Sequence, residues 1–101
     1  MIRAEWVVSP QYKESYMEVL SENLSALRAK AGITQEEIAN LIGISRQTYY
    51  AFETKKRDLS WNTYLALIFF FDTNVNTHTM LRDINAYPLE LIIRMNGTVT
   101  K

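Results

Sequence analysis

Between Thr34 and Phe52 the chain has to build two helices with almost nothing to join them. Thr34-Gln35-Glu36-Glu37 matches the capping-box pattern, in which a threonine and a glutamate three residues later satisfy each other's backbone donors at a helix start. Ile38, Leu41 and Ile42 then supply an apolar face at helical spacing. Gly43-Ile44 interrupts, and Ser45 caps a third helix whose inward residues are Tyr49 and Phe52. A two-residue connection forces a sharp corner. Gly43 is free to take the positive φ the corner needs. Ala39, four residues earlier, is small enough to let the two helices approach. Ile44 and Tyr49 plug the angle between them. The outer face of the third helix is left with Arg46, Gln47 and Tyr50. Arginine pairs with guanine and glutamine with adenine in the major groove, so this face suits base reading by a helix-turn-helix.

The remaining segments are also helical. Ser9-Pro10 is a strong helix start, with serine as cap and proline where its missing donor costs nothing. Tyr12, Tyr16, Val19, Leu20, Leu24, Leu27 and Ala31 recur on one face, and Gly32 ends the run. A helix over 10–31 is about 33 Å long. Ser60 caps a fourth helix whose apolar residues face almost every direction, which predicts burial on more than one side. A fifth helix starts at Asn76 or Thr77 and runs through Ile84 with Met80, Leu81 and Ile84 inward. Pro88 opens a short last segment, Leu89 to Met95. Residues 1–8 read as a tail or a small strand. The expectation is an all-α chain. Residues 9–85 form the helix-turn-helix domain, residues 1–8 an N-terminal extension, and residues 86–101 a C-terminal segment that serves as a dimerisation element.

Composition narrows the chemistry. With 101 residues there is one hydrophobic core at most. Three glycines and two prolines are few breakers, which agrees with helix. There are no cysteines, so no disulfide or thiolate metal site forms and a cytoplasmic home is the natural reading. The longest apolar run, Ala66 to Phe71, is too short to span a bilayer. His78 is the only histidine and reads as a surface residue or one near a helix cap. No catalytic Ser/His/Asp set, metal spacing or phosphate-binding glycine loop occurs, so neither an enzyme nor a cofactor is expected. Net charge is zero, but it is unevenly spread. Arg28, Lys30, Arg46, Lys55, Lys56 and Arg57 outweigh Glu36, Glu37 and Glu53 in the middle, while both ends are mildly acidic. A local basic patch attracts phosphate even when the total is neutral.

The run from Leu24 to Phe71 resembles the lambda-repressor and Cro-like helix-turn-helix family, also called XRE-type regulators. The matching positions are Leu27 and Arg28 before the Gly32 corner, Thr34-Gln35-Glu36-Glu37-Ile38-Ala39, then Gly43-Ile44-Ser45-Arg46-Gln47-Thr48 and Glu53. The resemblance implies a five-helix domain that binds double-stranded DNA. It implies that Gln35 touches a phosphate or braces the third helix, and that Arg46, Gln47 and Tyr50 face the groove. Ser45 and Thr48 would help hold the DNA backbone. Lys55, Lys56 and Arg57 would lie along the phosphates, and Arg28 and Glu53 would form an internal ion pair. Two departures stand out: Tyr50 and Ala51 sit where many relatives put polar reading residues, and the loop after the third helix differs. The family usually has glycine near Lys55 and proline near Leu59, so the loop after the third helix is more basic and less turn-like here.

The function expected from these readings is transcriptional regulation, as a repressor, by a homodimer on a short duplex site. No separate effector domain fits in 101 residues. The dimer is suggested by the surplus of apolar residues (Trp61, Phe69, Phe70, Phe71, Leu89, Leu91, Ile92, Ile93) for a core of this size. The rival reading is a protein-interaction module, such as an antitoxin subunit or adaptor, whose partner binds the apolar C-terminal segment.

Overall fold

The computed structural model describes residues 1–97, and within them the fold is all-helical. Residues 98–101 of the expected C-terminal segment lie outside the described residues. Six α-helices follow a short 3-10 turn at Ala4–Trp6. They are α1 (Pro10–Ala31), α2 (Gln35–Ile42), α3 (Arg46–Glu53), α4 (Trp61–Thr73), α5 (His78–Asp83) and α6 (Leu89–Met95). Five helices thus fall within residues 10–83, and the sixth lies in the C-terminal segment.

Serine or threonine starts each of the first four helices. The side chains of Ser9, Thr34, Ser45 and Ser60 accept from the backbone N–H of Tyr12, Glu37, Thr48 and Thr63. At Thr34 the capping box is complete, because Glu37 Oε1 also accepts from Thr34 N at 3.0 Å. Each such cap is worth about 1 kcal/mol against alanine.

The ends share a device that only half announces itself in sequence. After α1, α2, α3 and α5 one residue turns left-handed: Gly32, Gly43, Lys55 and Asn85. In each case the following N–H reaches back to close the last turn. Ile44 N donates to Ala39 O at 2.9 Å, Lys56 N to Ala51 O at 2.9 Å, and Ala86 N to Leu81 O at 3.0 Å. Two of the four positions lack glycine, and both carry a steric cost there.

The core is contiguous. Leu20, Leu24 and Leu27 of α1 meet Ile38 and Ala39 of α2, Tyr49 and Phe52 of α3, and Tyr64, Leu67, Ile68 and Phe71 of α4. Leu81 of α5 and Ala86 complete it. Burying a leucine-sized side chain contributes about 1.5–3 kcal/mol, so the three α1 leucines alone anchor the longest helix firmly. One expected inward residue, Leu41, is outside, and so is Phe69 from the apolar surplus. Leu41 is 60% exposed, because Ala39 rather than Leu41 shares the core face with Ile38 on this two-turn helix. Phe69 is 76% exposed, since Tyr64, Leu67, Ile68 and Phe71 form the single core stripe of α4 and Phe69 points away from it.

The extensions are tied to the body and to each other. Residues 1–8 form neither strand nor free tail but the 3-10 turn, against which α6 packs. Arg94 Nη1 donates to Val7 O at 2.8 Å, and Leu91 N donates to the Tyr12 hydroxyl at 3.2 Å. Leu91 is buried, and the Tyr64 hydroxyl donates to Ala86 O at 2.8 Å from inside the core. At the α4–α5 corner, Arg82 Nη1 donates to Asp72 Oδ1 at 2.7 Å and its guanidinium lies 3.9 Å from the Tyr87 ring centre. His78 opens α5 with its ring exposed beside Asp72.

Candidate nucleic-acid interface

The placement of α3 begins with Gly43. Its φ of 85° ends α2 and turns the chain within two residues, and Ser45 then starts α3. Ala39 on α2 is 1% exposed within the shared core, and α2 packs directly on α3. Tyr49 and Phe52 fix the inner face of α3 in the core.

The far end of α3 is held by a polar hub. Glu53 has a side chain only 5% exposed, and four residues donate to its carboxylate. Arg28 Nε is 2.7 Å from Oε2 and Arg28 Nη2 is 3.3 Å from Oε1. The Tyr49 hydroxyl is 2.7 Å from Oε2, Gln35 Nε2 is 2.9 Å from Oε1, and Ser25 Oγ is 3.3 Å from Oε1. Arg28 Nη1 also reaches Ile33 O at 3.2 Å, across the α1–α2 corner. One carboxylate therefore ties α1, α2 and α3 together. A buried charge is costly unless it is paired and fully hydrogen-bonded, and this one is.

The proton balance follows from the same contacts. Burial pushes the Glu53 carboxyl up, but the bonds from Arg28, Tyr49 and Gln35 outweigh it and hold the group below the usual carboxylate range. The hydrogen bond to Glu53 raises Arg28 above its ordinary value. Burial, reinforced by Glu53, pushes the Tyr49 hydroxyl far above the ordinary tyrosine range. At neutral pH the hub holds a carboxylate, a guanidinium and a neutral phenol.

With both the inner face and the end of α3 held, its remaining face is open. Arg46, Gln47 and Tyr50 are exposed there and lie within about 100° of one another around the axis. Ser45 and Thr48 are engaged with each other: Thr48 N donates to Ser45 Oγ at 3.1 Å, and Ser45 Oγ to Thr48 Oγ1 at 2.9 Å. Gln35 sits on the hub rather than on the open face, half-buried beside Glu53.

The three cations after α3 diverge. Lys55 takes φ 62° and its Nζ lies 3.8 Å from Glu22 Oε2 on α1. Arg57 lies over Phe52, with its guanidinium 5.9 Å from the ring centre. Lys56 is exposed, and none of the ion pairs among the described residues involves Arg46, Lys56 or Arg57. Sequence reading missed Ser25 and Tyr49 as partners of Glu53. The spacing carried a signal for Tyr49, four residues before Glu53 and so its neighbour on the helix. Nothing local pointed to Ser25.

Among the described residues no helix is long and apolar enough to cross a membrane, and no group of histidine or acidic side chains is placed to hold a metal ion. Comparison with curated proteins returns no match, and comparison with solved structures returns none. A helix-turn-helix family model matches residues 24–67, from the middle of α1 to the middle of α4. That span contains the Gly43 corner, the Glu53 hub and the open face of α3, and the match supports the resemblance of this part of the chain to the lambda-repressor and Cro-like helix-turn-helix family.

Proposed function

We propose that this protein is a sequence-specific regulator of transcription, a repressor, that binds double-stranded DNA as a homodimer in the cytoplasm. In this reading α3 enters the major groove, with Arg46, Gln47 and Tyr50 at the base edges. Ser45 and Thr48 sit at the entry of the helix beside the DNA backbone. Lys56 and Arg57, with Lys55, follow the phosphates, and Gln35 keeps the pose by bracing α3 through Glu53. The observation that carries the reading is the division of α3 into held and open faces. Tyr49, Phe52 and Glu53 are committed to the body, while Arg46 and Gln47 at the first turn are exposed. Those two side-chain types discriminate guanine and adenine by paired hydrogen bonds.

The test is selection of bound duplexes from a random pool by the purified full chain, followed by competition against unrelated duplex. Enrichment of a short motif with twofold symmetry is the expected result. A pool that stays random after several rounds, while the protein remains folded, would overturn the reading.

A second reading rests on a specific feature of the extensions. Trp6, Val7, Leu89, Ile93 and Met95 are each about half-exposed on the paired N-terminal turn and α6. A protein partner seated there would make the chain an interaction module, such as an antitoxin subunit or adaptor, in which DNA contact is secondary.

A further inference from the structure

The loop that leaves α3 treats its three cations unequally. Lys55 stands in the left-handed conformation because two hydrogen bonds close the helix around it: Lys55 N donates to Phe52 O at 3.2 Å and Lys56 N to Ala51 O at 2.9 Å. From that backbone the side chain reaches α1, where Nζ lies 3.8 Å from Glu22 Oε2. Each side chain is 53% exposed, so the pair is wet and exchanges readily with other charges. Glu22 also continues a row. Glu14, Glu18 and Glu22 recur at four-residue steps on α1, and Glu14 and Glu18 face Asp58 and Lys55 across a shallow groove. The α1 side of the loop is therefore negative, and the one cation that leans toward it is neutralised there.

We infer that Glu22 is an internal competitor of DNA phosphate for Lys55, and that this contact holds down the affinity of the protein for any duplex. The inference rests on the proposed DNA-binding reading. A lysine that neutralises a phosphate displaces a condensed counterion, and this release drives much of duplex binding. Lys55 has to leave Glu22 before it can do so, and Glu22 then stands uncompensated beside the phosphates. The effect is blind to sequence, because phosphate contacts carry no base information. It separates the loop from the open face of α3: Arg46 and Gln47 choose the site, while the Glu22–Lys55 pair sets the general level of binding.

Equilibrium titrations over a salt series test this with four full-length proteins: the parent, Glu22→Gln, Lys55→Gln and the double variant. Each is measured on the selected duplex and on an unrelated one. Glu22→Gln should tighten binding to both duplexes by about two- to fivefold at low salt. It should also steepen the slope of log K against log salt by about 0.9. In the Lys55→Gln background the same substitution should gain nothing. A Glu22→Gln protein that binds like the parent would overturn the inference. So would a gain that persists undiminished without Lys55, since that would be the general field of the α1 carboxylates. Failure of the underlying reading looks different: the parent and all three variants would then bind the two duplexes alike or not at all.

Discussion

Arg28 and Glu53 clamp the end of α1 to the end of α3 with two hydrogen bonds, Nε to Oε2 at 2.7 Å and Nη2 to Oε1 at 3.3 Å. The residues are 25 apart in sequence and belong to helices that pack directly on one another. Because Glu53 also receives Gln35 from α2, loss of Arg28 would leave a carboxylate with a nearly buried side chain short of its charge partner. Arg28→Ala should therefore cost about 1–3 kcal/mol in urea unfolding, the range for a hydrogen-bonded charge left unpaired. The acid limb gives a sharper check. The folded-state pKa of Glu53 lies below the ordinary value, despite burial, through the bonds from Arg28, Tyr49 and Gln35. The unfolded state then binds more protons over the acid range, so the stabilisation is full above the unfolded pKa and is lost as pH falls through the folded one. Glu53→Gln should flatten the decline in stability between about pH 5 and pH 2. A parallel decline in parent and variant would show that other carboxylates drive acid unfolding.

Lys55 occupies a backbone conformation that suits glycine, at φ 62°. Its side chain makes only a half-exposed contact with Glu22, worth little to stability. Lys55→Gly should therefore raise the stability of the free protein by about 0.5–1 kcal/mol, once the entropy that glycine gains in the unfolded chain is set against the relieved strain. Gly43 is the opposite case. Nothing lies within 4 Å of a Cβ placed on it, so space is not the issue, but its φ of 85° penalises any side chain. Gly43→Val should cost about 1–2 kcal/mol, more for a β-branched residue than for alanine, read as a lower melting temperature before DNA is added. Equal stability of the valine variant would mean that the corner can rearrange.

Much of the body could be read from sequence because its signals are local. The serine and threonine caps lie one residue before their helices, and glycine stands at three of the five left-handed residues, Gly32, Gly43 and Gly97. Asn85 was silent, and Lys55 was marked only by the glycine that the resembled family usually has nearby; neither residue demands φ > 0, and the closing hydrogen bonds impose it. Faces were less legible on short or uniformly apolar helices. Leu41 and Phe69 look as buried as their neighbours until a partner helix chooses the stripe. The joining of α6 to the start of the chain was not legible at all. It depends on Arg94 meeting Val7 and on Leu91 meeting Tyr12, pairs 87 and 79 residues apart. On the candidate site, the exposed trio of α3 followed from helical spacing. The divergence of Lys55 from Lys56 and Arg57 depended on where α1 placed Glu22.

Base reading and phosphate contact should separate in the kinetics of failure. Arg46→Ala or Gln47→Ala should weaken binding to the selected duplex by about 1–3 kcal/mol and leave unrelated duplex nearly unchanged. Lys56→Ala and Arg57→Ala should instead weaken both and reduce the salt slope by about one counterion each. Fluorescence titration on the two duplexes at several salt concentrations distinguishes the patterns. If Arg46→Ala lowered affinity equally on both, Arg46 would be a phosphate contact and the register of α3 in the groove would have to change.

The proposed dimer can now be tested without removing the C-terminal segment. Deletion from residue 86 onward would strip buried Ala86, Pro88 and Leu91 from the body, so loss of function would say nothing about assembly. The exposed side of α6 is the better target. Leu89 and Ile93 stand four residues apart, 58% and 56% exposed, while Leu91 between them faces inward. Two single substitutions, Leu89→Glu and Ile93→Glu, place a charge on that side and leave Leu91 and the Arg94–Val7 bond in place. If two copies pair through this face, the twofold symmetry buries each new glutamate twice in an apolar interface, where an unpaired charge is costly. Sedimentation should show a dimer for the parent at micromolar concentration and a folded monomer for either variant. A monomer would lose the spacing of about 34 Å that two half-sites one DNA turn apart require, and should bind the symmetric site far more weakly than the parent while binding a single half-site equally well. Variants that remain dimeric would move the interface elsewhere, with α5 the next surface to probe. A parent that is monomeric both free and on DNA would sink the dimer and favour a different protein as the occupant of α6.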